Sequence, residues 1–377
     1  MDIYQESIAL HKKAHGKISL SLKVDLNTKN DLSLAYSPGV AGVSRAISED
    51  ATMARELTIK GNTVAVISDG SAILGLGNLG AYAAIPVMEG KAALFKRFAN
   101  VDAFPICLTT QDTEEIIETI KRIAPVFGGI NLEDFSSPRC FEIEERLRKE
   151  LDIPVMHDDQ HGTAVVVLAG IINAVKIRGG KKEELKVVIN GVGAAGIAIT
   201  NILLQWGVTD IILSDSKGIV TADRENLNDV KRMMAGKTNP RKVSGMMEDA
   251  LVGADMFIGV SVGHLLTAEH IALMAKDPII FALANPEPEI MPDIAKKAGA
   301  LIVATGRSDF PNQVNNVLAF PGIFRGALDH HIAQFTEDMF INAAYAIAAC
   351  VEKPFVDMVI PDPFDARVAQ AVAAVIK

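Results

Sequence analysis

Hydrophobic and polar positions follow two rhythms along this 377-residue chain. Short apolar runs between turn residues predict buried strands at 63–68, 102–108, 186–190, 210–214, 254–260, 278–284 and 300–304. Stretches of helical period predict helices at 4–15, from Met88, at 112–123 with Asp112 as cap, at 195–206, 244–252, 267–275 and 289–298, from Phe320, and at 366–376. The run 164–177 is apolar almost throughout and predicts a buried helix, closed by Gly179-Gly180. Residues 142–151 predict a charged surface helix. Weak alternation over 17–26 suggests a strand, and Pro86 suggests a break before the helix from Met88. From residue 186 onward strands and helices alternate, the pattern of a doubly wound parallel sheet. Such sheets bind ligands beyond the carboxyl ends of their strands.

Composition narrows the class. The length gives room for two domains, and 49% hydrophobic with 22% charged residues describes a globular chain. A net charge of −9 argues against nucleic acid as a partner. Cys107, Cys140 and Cys350 are widely spaced and odd in number, which fits a reducing cytosol. Residues 1–6 lack the basic start and apolar core of a signal peptide, and no uncharged apolar stretch is expected to cross a bilayer.

The candidate chemistry lies at element boundaries. Asp158-Asp159 precedes Gly162-Thr163 and the apolar helix, and Glu133-Asp134 closes a second apolar segment. Either pair alone is equally a set of solvated loop acids or helix caps. Together they offer three or four hard oxygen ligands, which suit Mg²⁺ or Mn²⁺. Lys91 lies among Gly90, Ala92 and Ala93, shielded for a lysine. Tyr36 precedes the turn Ser37-Pro38-Gly39, where a packed tyrosine is the plain alternative. The glycine-rich stretch 69–80 permits close backbone approach but is no phosphate loop.

A dinucleotide fingerprint follows the strand at 186–190: Gly191, Val192, Gly193, Ala194, Ala195 and Gly196. Strand, glycines and helix come in the required order, and Asp215 stands about twenty residues on, where an acid binds the adenosine ribose. Asp215 leans towards NAD, while Lys217 offers a charge for the 2′-phosphate of NADP. Asn285, Asn315 and Asn316 lie at strand ends, where turn asparagines are the alternative.

Taken together, Leu-Ala-Tyr-Ser-Pro-Gly-Val at 34–40, Glu-Gly-Lys at 89–91, Glu-Asp at 133–134, Asp-Asp-x-x-Gly-Thr at 158–163, the fingerprint, Ala-Asn-Pro at 284–286 and Asn-Asn-Val-x-x-Phe-Pro-Gly at 315–322 resemble the malic enzymes, most closely the short bacterial NAD(P)-dependent type. The resemblance implies an α/β protein: an N-terminal α/β catalytic and dimerisation domain over 1–160, a Rossmann-like domain over 161–325, and a helical segment over 326–377 packing back on the N-terminal part. It implies oxidative decarboxylation of L-malate to pyruvate and CO₂ with NAD or NADP and Mg²⁺ or Mn²⁺, in a cytoplasmic homodimer. By the same resemblance Lys91 is the general base, Tyr36 the general acid and Asp158 the partner of Lys91. Glu133, Asp134 and Asp159 become metal ligands, the fingerprint and Asp215 hold cofactor, and Asn285 and Asn316 hold substrate or nicotinamide. Ala72 stands where longer members carry a carboxylate-binding arginine. Two other functions compete: a non-redox oxaloacetate decarboxylase, and a nucleotide sensor without turnover.

Overall fold

The structure, a computed structural model, describes residues 2–377. Its N-terminal half is built on four parallel strands, β1 (Thr63–Ser68), β2 (Asp102–Cys107), β3 (Gly129–Leu132) and β4 (Val155–His157), in the order β2-β1-β3-β4. All six residues of β1 are buried, as a parallel strand covered on both faces requires. The register pairs Ile67 with Leu132 and Leu132 with His157. The chain therefore leaves β3 and β4 side by side, and the two acidic pairs, Glu133-Asp134 and Asp158-Asp159, emerge at one edge.

The second sheet contains β5 (Lys186–Asn190), β6 (Asp210–Asp215), β7 (Gly218–Ile219), β8 (Met256–Gly259), β9 (Ile279–Ala282) and β10 (Ile302–Thr305). Their order is β10-β9-β8-β5-β6-β7, parallel except for the short hairpin strand β7. This is the doubly wound sheet expected from the alternation.

Between the sheets runs the helix His161–Arg178, with twelve buried residues. It is packed by the helices Ala194–Trp206 and Glu337–Ala349. With 18 residues and a mean hydropathy of 1.3 it is long and apolar enough to cross a membrane by length and composition alone, although its last turn carries Lys176 and Arg178. Here it is the core helix. One continuous apolar cluster joins Val64, Phe95, Val165, Val187 and Phe320, so both sheets share a core.

The C-terminal helices Phe320–Asp329 and Arg367–Ala373 pack on the long helix Ala81–Ala99. The ring of Phe95 meets Phe320 at 4.7 Å and Phe324 at 5.5 Å. The boundary expected after residue 325 thus falls inside a helix.

Three further expectations change. Residues 17–26 form no strand; the chain crosses the helix Ala81–Ala99, with Lys17 bonding to Glu89 and Pro86. That helix continues through Pro86. The charged helix is Arg139–Glu150, which starts earlier than expected, and while Glu142, Glu145, Lys149 and Glu150 are exposed it buries Cys140, Ile143, Glu144 and Leu147. The strands β3 and β4 are shorter than any apolar run that announces a strand. Of the described residues 2–62 none is buried, and Leu20 and Tyr36 are 85% and 67% exposed.

Candidate active site

Lys91 projects from the helix Ala81–Ala99 into the acidic edge of the first sheet. Its ammonium lies 2.5 Å from Asp158 Oδ2 and 2.8 Å from Glu133 Oε1, with 6% of the lysine side chain, 0% of Asp158 and 7% of Glu133 exposed. The ring of Phe320 closes over Nζ at 4.1 Å. Burial alone would lower the lysine pKa, but the two carboxylates hold it above the ordinary range.

The acids are packed against one another. Burial pushes Glu133 up to about 7, with Lys91 opposing and Asp159 adding to the rise. Burial, then Asp159 and Glu133, pushes Asp134 up to about 8. Asp158 rises to about 6, again by burial, partly offset by Lys91. Asp159 also rises, through burial. The backbone N–H of Asp134 donates to Asp159 Oδ2 at 2.9 Å, so the two pairs are tied directly. Asp134 adopts a left-handed backbone with φ of 56°, uncommon outside glycine. Among side-chain atoms, Asp134 Oδ2 and Asp158 Oδ1 are buried without a hydrogen-bond partner. Acids crowded this way, with orphaned oxygens, fit a hard divalent cation. Among the described residues no three His, Cys, Asp or Glu side chains already close on one point. The positive charge amid the acids is that of Lys91.

The loop between β4 and the core helix is held by a residue the sequence reading passed over. Glu144 accepts from His157 N–H at 2.9 Å and Gln160 Nε2 at 2.9 Å, and lies 3.0 Å from His161 Nε2. His161 holds its carboxyl below the usual range despite burial. Its only signal in the sequence is a charged residue at a core position of an amphipathic helix. Gly162 is explained as well: a Cβ there would meet Asp158 Oδ1 at 1.7 Å.

The glycine-rich stretch after β1 folds over this edge. Ala72 N–H donates to the Asp134 carbonyl, and a Cβ on Gly75 would meet the Asn285 carbonyl at 3.1 Å. The first sheet's loop and the exposed Asn285 beyond β9 therefore lie against each other. Asn316 opens the short turn Asn316–Leu318 that leads to Phe320, the residue above Lys91. Arg139 lies beneath the loop, with its guanidinium engaged by Asp69, Ser71, Ser136 and the Gln111 carbonyl. It supports the loop and does not replace the arginine missing at Ala72.

Tyr36 is not brought to this cluster. It terminates the helix Lys29–Ala35, whose contacts are with the following helix Val40–Glu49.

At the second sheet the fingerprint forms the expected turn. A Cβ on Gly196 would meet the Gly191 carbonyl at 1.8 Å, and one on Gly191 the Val260 carbonyl at 2.5 Å. On Gly193 a Cβ would meet nothing within 4 Å. Two glycines thus close the turn, and the middle one, at the start of the helix Ala194–Trp206, faces open space. That is the cradle a pyrophosphate needs. Asp215 ends β6, with Arg224 at 2.7 Å and Lys231 at 2.6 Å from Oδ2.

Comparison with known proteins agrees with both halves. Residues 15–148 match the family described as malic enzyme, N-terminal domain, and residues 160–376 match malic enzyme, NAD binding domain. The chain is 57% identical to the bifunctional malic/malolactic enzyme of Bacillus subtilis, over 99% of this chain and 92% of that one. It is 56% identical to the NAD-dependent malic enzyme of Geobacillus stearothermophilus, covering 95% of this chain and 75% of the relative. The crystal structure of the NAD-dependent malic enzyme of Thermotoga maritima superposes with a TM-score of 0.95 at 52% identity, covering 98% of each chain. One sheet carries a lysine caged by acids at its edge and the other a glycine turn open at its middle residue, and the chain belongs to the malic enzyme family.

Proposed function

We propose that the protein oxidises L-malate and decarboxylates the product to pyruvate and CO₂, reducing NAD or NADP. The observation that carries this reading is the burial of Lys91 between Asp158 and Glu133, in a chain whose second sheet carries the fingerprint turn. Glu133, Asp134 and Asp159 would hold Mg²⁺ or Mn²⁺, which supplies Lewis acidity at the substrate's C2 oxygen, and the nicotinamide supplies the hydride acceptor. Lys91 takes the hydroxyl proton. Its two carboxylates keep it protonated at rest; with Glu133 drawn to the cation, the ammonium would give its proton to solvent and act as the neutral amine. Asp158 keeps the amine aimed. Asn285 and Asn316 line the cleft for substrate or nicotinamide, and the folded glycine loop excludes water from it.

Tyr36 returns a proton to the enol carbon after CO₂ leaves. Its distance from Lys91 within one chain, and the apolar residues exposed around it, support a homodimer in which the partner's 1–62 segment completes each site. Residues 1–160 then serve both catalysis and dimerisation.

The basic test is malate- and Mn²⁺-dependent reduction of NAD or NADP, followed by absorbance. Its absence, with oxaloacetate still decarboxylated, would replace this reading with the non-redox one. Subunit sharing is tested by mixing Tyr36→Phe and Lys91→Met proteins, each inactive alone. A shared site restores turnover in mixed dimers, because one of the two sites is intact. A site built from one chain restores none.

A further inference from the structure

The acid that ends β6 is not free. Asp215 Oδ2 is shared by Arg224 Nη2 at 2.7 Å and Lys231 Nζ at 2.6 Å, and Oδ1 accepts from Lys217 N–H at 2.9 Å. The three side chains are mostly buried, with 11%, 16% and 24% exposed for Asp215, Arg224 and Lys231. Two positive charges on one negative leave a surplus of one.

An acid at this place selects NAD in two ways: its oxygens accept from the ribose hydroxyls, and its charge repels a 2′-phosphate. Both effects are blunted here. One oxygen carries two cations and the other a backbone donor, so little accepting capacity is left for ribose. The repulsive charge is more than neutralised. Arg224 also retains a spare donor, because its Nε is buried without a partner. Its Nη1 bonds to the carbonyls of Gly218 and Ile219, which fixes the guanidinium against the β6–β7 hairpin.

We propose that Arg224 and Lys231 are the cofactor-selecting residues of this protein and that they admit the 2′-phosphate of NADP, so that NADP is used alongside NAD. Asp215 parks the two cations when the 2′ position carries only a hydroxyl. A phosphate oxygen then replaces the Asp215 carboxylate as their partner, keeping charge-assisted bonds to both. Lys217, which sequence alone nominates for this role, is exposed on the turn and contributes only its backbone N–H. The proposal rests on the dinucleotide reading of Gly191–Gly196.

The test is binding of adenosine 2′,5′-bisphosphate and of 5′-ADP by calorimetry, alongside kcat/KM for NADP and NAD. Wild-type protein is expected to bind the 2′-phosphorylated ligand at least as tightly as 5′-ADP, with the preference shrinking as salt rises. Its kcat/KM for NADP is expected within about 100-fold of that for NAD. Lys231→Met removes one cation without touching the hairpin carbonyls. It should weaken adenosine 2′,5′-bisphosphate by about tenfold, the loss of one charge-assisted bond, and 5′-ADP by less than about twofold. Arg224→Lys keeps charge but not the fork, and should weaken the same ligand selectively while the melting temperature checks the fold. Equal losses for both ligands, or a wild type more than about 100-fold poorer with NADP, overturn the proposal. If neither adenosine ligand binds, the dinucleotide reading itself fails.

Discussion

Replacing Lys91 by methionine separates its catalytic role from its electrostatic one. The substitution keeps the side-chain volume under Phe320 but strips two buried carboxylates of their counter-charge. Removing one partner of a buried ion pair typically costs about 3–5 kcal/mol. Asp158 and Glu133 already lie near 6 and 7, so at neutral pH they take up protons instead of remaining bare. That places the expected loss near the lower end, about 3 kcal/mol. At about 2–4 °C per kcal/mol for a domain of this class, the metal-free protein should melt roughly 6–12 °C lower. Metal binding should move the other way. Unit charges about 4 Å apart at an effective dielectric of 20 interact by about 4 kcal/mol. Even a fraction of that repulsion, once relieved, tightens Mn²⁺ at least about tenfold, which needs only about 1.4 kcal/mol. Turnover should still fall by about 10²–10⁴, the usual contribution of a general base. The assays are thermal melts in EDTA and calorimetric titration with Mn²⁺. An unchanged melt in EDTA, or weaker Mn²⁺ binding than wild type, would show that Lys91 is not the resident counter-charge of this cluster.

Three further outcomes follow from the same geometry. Glu133, Asp134 and Asp158 have folded pKa values of about 7, 8 and 6, above the carboxylate range of an unfolded chain. The metal-free fold therefore binds extra protons and loses stability as pH rises from about 4 to 8, and a cation that needs these acids ionised recovers it. The melting-temperature gain on adding Mn²⁺ should grow between pH 6 and pH 8; a flat or shrinking gain refutes the account. Gly193→Ala should melt like wild type yet bind NAD at least about tenfold more weakly, whereas Gly196→Ala should fail to fold its turn, as circular dichroism and dye binding would report. Glu144→Ala should loosen the 157–161 loop and weaken Mn²⁺ while leaving 5′-ADP affinity within about twofold; equal loss of both ligands would make Glu144 merely structural.

The sequence was most informative where one residue type answers one local demand. The strand β1 is a short apolar run with its predicted limits, and the outer fingerprint glycines, Gly191 and Gly196, sit where carbonyls leave no room for a Cβ. The acidic pairs were visible because charge at an apolar boundary is unusual. What escaped depends on partners distant in the chain. The strands β3 and β4 have four and three residues, too few for periodicity, and exist because β1 supplies the bonds of β3 and β3 those of β4. Alternation over 17–26 reflects a segment laid across a helix, with no sheet neighbour to make it a strand. Glu144 counted as surface charge because its partners lie on the loop after β4, 13 to 17 residues on. Asp215 was legible as an acid in the right place, but Arg224 and Lys231 reach it from 9 and 16 residues further on.

The placement of Phe320 over Lys91 also sets an order of events during synthesis. The lysine lies on a helix of the first half and the acids just after β3 and β4, while their aromatic cover emerges from the ribosome about 160 residues after Asp159. At roughly 5–20 residues per second, the nascent chain carries an uncovered cluster of four carboxylates and one ammonium for about 8–32 s. During that interval the cluster is wet and its charges are cheap to keep apart. The arrival of the Phe320 helix, which packs on the helix that carries Lys91, is what converts a solvated group of charges into a caged one. The reactive half of the protein is thus the half made first and sealed last.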